Sequence, residues 1–179
     1  MNYLRLFGVF FRVSVMSEAA YRVNFYVQLF QSLLELATAL MGLAVIFSYT
    51  GDLGGWRPDE MLALVGVYFM TGGVIGFVIQ PSMEQFISSV REGTLDFTLT
   101  KPEDSQFLVS IQAVNIWELT NIVLGLAVMI TALVRMGETI GGLQAATFAV
   151  MLISGSVIIY SFWLILATLS FWLDRKSVV

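Results

Sequence analysis

Cysteine and histidine are both absent from this 179-residue sequence. Without cysteine there is no disulfide framework, no thiolate nucleophile and no soft-metal site. Without histidine there are no zinc-protease helices, no histidine-based triads and no histidine-ligated haem. No paired-carboxylate motif takes their place, which leaves little chemistry for an intramembrane enzyme. Charge is scarce as well: Asp, Glu, Lys and Arg make up 12% of the residues against 58% hydrophobic, far from the balance of a soluble domain. The first residues lack a secretory signal pattern, since Arg12 interrupts their apolar stretch and no small-residue cleavage site follows. The net charge of −4 says little about partners, because orientation in a membrane follows Lys and Arg alone.

What is present is apolar length. Charge-free runs extend from Met61 to Met83 and from Thr139 to Leu173, while Val23–Tyr49 and Phe107–Val134 are each interrupted by a single glutamate. A bilayer core needs about 20 mostly apolar residues per helix. In lipid only helices or closed barrels satisfy the backbone, and these runs are neither short nor alternating. The sequence therefore predicts an all-α, polytopic transmembrane bundle with four spans, at about 23–49, 60–80, 107–134 and 143–173. Residues 81–106 form a water-facing segment between spans two and three, and 174–179 form a tail. Placing both termini in the cytoplasm puts Arg5, Arg12, Arg22, Arg91, Lys101, Arg175 and Lys176 inside and only Arg57 and Arg135 outside, the positive-inside arrangement. This is the pattern of a multi-pass protein of the cell inner membrane.

Residues 1–22 carry an apolar stripe at Leu4, Phe7, Phe11 and Val15, with Arg5 and Arg12 on the polar side. They read as an amphipathic helix lying at the cytoplasmic interface, the alternative being an extension of the first span. Inside the spans, Gln28, Gln31 and Glu35 share one face of the first, and Gln112, Asn115, Glu118 and Asn121 form a drifting stripe on the third. Counting at 1.5 Å per residue from the expected helix ends sets Glu35 and Glu118 roughly 18 Å deep, near mid-membrane. Carboxyls there belong to a polar translocation path, with Gln31, Glu35, Asn115 and Glu118 as its candidates, or to simple interhelical hydrogen bonding. The pair Gly72 and Gly76, with Gly73 beside it, and the patch Ser154-Gly-Ser156 suit close helix packing.

Between spans two and three, Met83, Phe86, Ile87 and Val90 fit helical spacing, so 81–91 predicts a short amphipathic helix that Gly93 stops. Leu95, Phe97 and Leu99 then alternate with polar residues, an extended pattern that Pro102 ends. A solvated linker has no use for so many apolar groups. They call for burial against the membrane surface or against a protein partner.

The stretch Val90-Arg-Glu-Gly-Thr-Leu-Asp-Phe-Thr-Leu-Thr-Lys-Pro102, following two spans with a short outer loop, resembles the permease subunits of type-2 ABC transporters. It is most similar to a branch whose cytoplasmic segment reads G-x-L-D-x-x-L-x-[KR]-P, matched here by Gly93, Leu95, Asp96, Leu99, Lys101 and Pro102. The Gly55-Trp-x-x-x-Glu60 entry into the second span is similar too. The resemblance implies a coupling helix docked on a separate ATPase, with Phe86, Ile87, Arg91, Gly93, Asp96, Lys101 and Pro102 as the coupling residues. It implies a dimer with a second permease copy or a homologous permease. This chain would need no cofactor, while ATP and Mg would sit on the ATPase subunit, since no G-x-x-x-x-G-K-[ST] occurs here. The lipid bilayer is the other partner, and nucleic acid is not one. Such permeases have six spans, so four make this a truncated permease by expectation. The function expected is ATP-driven transport, of the export type; a non-transporting membrane scaffold is the alternative, and a channel would need an oligomeric ring of Glu35 or Glu118.

Overall fold

The computed structural model describes Gly8, Phe11, Arg12, Met16, residues 22–96, Thr100, 104–137 and 141–174. The expected interfacial helix at 1–22 is thus described at only a few positions, and the tail beyond 174 lies outside the described residues. Among the described residues the regular elements are all helical: α1 Arg22–Tyr49, α2 Pro58–Val74, α3 Gln80–Arg91, α4 Ser105–Ile111, α5 Leu119–Met136 and α6 Gly142–Asp174. Among the described residues, four helices are long and apolar enough to cross a membrane, at Phe25–Tyr49, Pro58–Arg91, Ile116–Met136 and Gly142–Leu169. Their outward faces carry large apolar side chains such as Tyr26, Phe30, Met41, Tyr68, Val123, Ile158 and Phe162, the surface that lipid requires.

The second and third of these depart from simple rods. Helix α2 runs into α3 without a loop, through a π-helical turn at Ile75–Ile79. The third apolar run, expected as one helix, is broken: α4 ends at Ile111, and helix resumes with a 3₁₀ turn at Ile116–Glu118 leading into α5. No proline or glycine marks this break. Gln112 and Asn115 bring polar side chains to it, and Ser82 of α3 and Phe77 of the π turn hydrogen-bond to its backbone.

The chain forms two compact units, one within 21–74 and 117–152, the other within 1–20, 75–116 and 153–179. In the first, α2 and α5 cross with their backbones in contact. A Cβ on Gly125 would stand 2.6 Å from both Gly66 O and Met70 N, and one on Gly66 would stand 2.8 Å from Gly125 O. One on Gly73 would stand 2.9 Å from Ile122 N. Only glycine permits that approach. Of the glycines expected to pack closely on the second span, Gly73 does so, whereas Gly72 faces open space, as does Gly155 of the Ser154-Gly-Ser156 patch. The loop between α1 and α2 turns at Gly54 and Gly55, both at positive φ, which lets Leu53 and Trp56 exchange backbone hydrogen bonds at 3.0 and 3.2 Å. Gly137, at φ 72°, closes α5 in the left-handed conformation.

The second unit is held by side-chain volume. Met83 and Ala167 are wholly buried, and Ile79, Phe86, Leu95 and Val109 complete the core, flanked by Ile87, Val90 and Trp163. Tyr160 joins α6 to α4 through a 2.6 Å hydroxyl contact with Ser110. Asp104 caps α4, its Oδ1 accepting from the backbone of Gln106 at 2.9 Å and Phe107 at 3.2 Å.

A candidate coupling surface and a polar cavity

Helix α3 owes its place to an apolar stripe. Met83 and Phe86 point into the core, Ile87 and Val90 lie half-buried beside them, and Glu84, Gln85, Arg91 and Glu92 stay exposed. Gly93, at φ 67°, then reverses the chain. The backbone N–H of Glu92 donates to Ser88 O at 2.9 Å and that of Thr94 to Ser89 O at 3.0 Å, so the last carbonyls of the helix are satisfied. The reversal tucks Leu95 under the helix and leaves Asp96 outside. Thr100 N–H donates to Asp96 O at 3.0 Å. Phe97, Leu99, Lys101 and Pro102 lie outside the described residues.

The expectation that the apolar groups of this segment need an external surface is corrected at Phe86 and Leu95. Both bury against Met83, Val109 and Ala167 of the same unit. A pattern on one helix shows which face is buried but not what buries it, and here the cover comes from α4 and α6. What remains outward is polar: Arg91, Gly93 and Asp96 are exposed together around the end of the helix.

Beneath α3, the break in the third run is braced against the second. The Ser82 hydroxyl donates to Ala113 O at 2.9 Å and accepts from Ala113 N–H at 3.4 Å. The Gln112 side-chain amide donates to Ser82 O at 3.1 Å, and Asn115 N–H donates to Phe77 O, inside the π turn, at 2.9 Å. Ser82 is fully buried. The break's backbone groups at Ala113 and Asn115 are thereby satisfied by Ser82 and Phe77 of the second run, as a buried site demands. The backbone of Asn115, a residue expected on a polar path, takes part in this brace.

The other path candidates do come together, in the first unit. A cavity of about 360 Å³ is lined by Gln28, Gln31, Ser32 and Glu35 of α1 and by Glu118 and Asn121 at the start of α5, with Val27 beside them. Gln31 Nε2 donates to Glu35 at 3.1 Å, and Asn121 Nδ2 donates to Glu118 at 2.8 Å. No basic side chain lines it. Glu35 lies at the middle of its helix, as expected, but Glu118 does not: α5 begins at Leu119, so Glu118 stands at the head of the third apolar helix. The depth counted from Phe107 assumed an unbroken helix. Phe25 and Trp117 pack nearby in this unit with ring centroids 4.9 Å apart.

Sequence reasoning missed Ser82 altogether, because one serine in an apolar run carries no signal until its partner backbone is known. No curated protein and no solved structure matches the chain. A family model described as "ABC-2 family transporter protein" matches residues 33–179.

Proposed function

The chain belongs to the ABC-2 transporter family and is a membrane permease of that family; we propose that it is driven by ATP hydrolysis on a separate ATPase subunit, in the direction of export. The observation that carries this reading is the construction of α3. Its inner face, Met83 and Phe86, is locked with Leu95 into a core shared with α4 and α6, while its outer end presents Arg91, Gly93 and Asp96. A force applied to that rim reaches the rest of the unit through close-packed side chains, not through a slack linker.

In this mechanism the ATPase pair, carrying ATP and Mg, closes on nucleotide binding and moves the α3 rim. Arg91, Asp96 and Lys101 make the contact, Gly93 and Pro102 shape it, and Phe86 and Ile87 transmit it from inside. The permease then alternates between two states that nucleotide and substrate both bias. Gln31, Glu35 and Glu118 line the polar route, and a second permease copy completes the assembly. Both termini and the α3 rim face the cytoplasm of the inner membrane, on the strength of the seven basic residues that this orientation keeps inside against two outside.

Co-purification tests the reading. The tagged chain, in mild detergent, is challenged with candidate ATPase subunits from the same cell, alongside Asp96→Lys and Lys101→Glu. Specific capture by the unaltered chain that both variants lose supports the coupling surface. Capture that neither variant weakens overturns that assignment, and no capture of any ATPase overturns the ATP-driven reading.

A further inference from the structure

A second cavity in the first unit, of about 540 Å³, is a trough between α1, α2 and α5. Its walls run from Leu36 to Phe47 on α1 and from Leu124 to Arg135 on α5, eleven helical steps on each helix. At 1.5 Å per residue both walls are about 16 Å long. That is close to half of the roughly 30 Å hydrocarbon core, the depth of one leaflet. The lining is carbon until its end; the one hydroxyl along the way, Thr131, is already bonded to Ala127 O at 2.8 Å.

Charge appears only at the far end. There Arg135 meets Asp59, Nε to Oδ1, at 3.2 Å, and the guanidinium side chain remains 63% exposed. A guanidinium carries five donors in a planar fork suited to phosphate, and one carboxylate does not exhaust them. An apolar trough one leaflet deep, ending in an arginine at the membrane surface, has the dimensions and polarity of a lipid. Water gains nothing from such walls.

We infer that the trough holds one acyl chain of a glycerophospholipid, with the lipid's phosphate on Arg135. The lipid belongs to the leaflet on the side of the Gly51–Arg57 loop. Asp59 holds the guanidinium over the trough mouth and competes with the phosphate for it.

Native mass spectrometry of the purified chain, released from detergent containing phosphatidylglycerol, tests this directly. The unaltered chain is expected to retain one lipid. Arg135→Gln is expected to lower retention about tenfold, the worth of a lost charge-assisted hydrogen bond, and Asp59→Asn to raise it. Ala44→Trp and Ala127→Trp, on different helices and at exposed positions of the wall, fill the trough and are expected to abolish retention while helicity by circular dichroism is kept. If either fails to fold, the other decides, together with Arg135→Gln at the surface. Retention unchanged in the folded variants overturns the proposal. So does displacement by glycerophosphoglycerol alone, which would mark a headgroup site without a chain. A dimer that the Trp variants split, with no lipid retained, would seat a second copy in the trough and overturn it as well.

Discussion

The two units of this protein are held together by opposite means. In one, α2 and α5 touch through Gly66, Gly73 and Gly125, where the absence of side chains is what binds. In the other, α3, α4 and α6 are held by bulk, with Met83, Phe86 and Leu95 filling a core and Ser82 stitching two broken helices. Backbone contact suits a region surrounded by lipid, where burial of apolar surface gives no drive and close van der Waals approach must supply it. The filled core relies instead on interlocking side-chain volume, where many small dispersion contacts add up.

That contrast can be broken at either end. The largest effect is expected for Phe86→Ala, which empties the centre of the filled core and should cost about 3–5 kcal/mol. Hydrogen exchange read by mass spectrometry should show protection lost in α3 and α4 and kept in α2 and α5. Gly125→Ala should do the reverse. Its methyl would fall 2.6 Å from Gly66 O and Met70 N, and forcing the helices apart should cost about 1–3 kcal/mol. Ser82→Ala keeps the volume but orphans both backbone groups of Ala113, a loss of about 1–3 kcal/mol that should be localised to α4 and the break after it. The smallest effect belongs to the α4 cap. Asp104→Ala should cost about 1 kcal/mol and Asp104→Asn almost nothing, a difference readable as fraying of Gln106 and Phe107 amides.

Much of the architecture is legible in the sequence, for reasons these residues make plain. Four apolar runs announce four spanning helices because lipid leaves the backbone no alternative. Gly93 announces the end of α3 because a left-handed cap favours glycine. The break after Ile111 is hidden, since Gln112-Ala-Val-Asn115 contains no proline or glycine and its hydrogen bonds come from Ser82 and Phe77 far back in the chain. The close α2 and α5 contact is hidden too. Gly66 and Gly125 lie on different helices and form no local motif. For the polar cavity, the shared face of Gln28, Gln31 and Glu35 is visible in their spacing. That Glu118 and Asn121 join it while Asn115 does not depends wholly on that hidden break.

The brace between Ser82 and Ala113 also bears on how the protein is made. Its two halves are 31 residues apart, and chains are synthesised from the N-terminus. When residues 112–115 leave the ribosome, the hydroxyl and carbonyl that will satisfy them have already been delivered to the membrane. The order along the chain, Ser82 first and the break second, thus makes the partner available before the stretch that needs it.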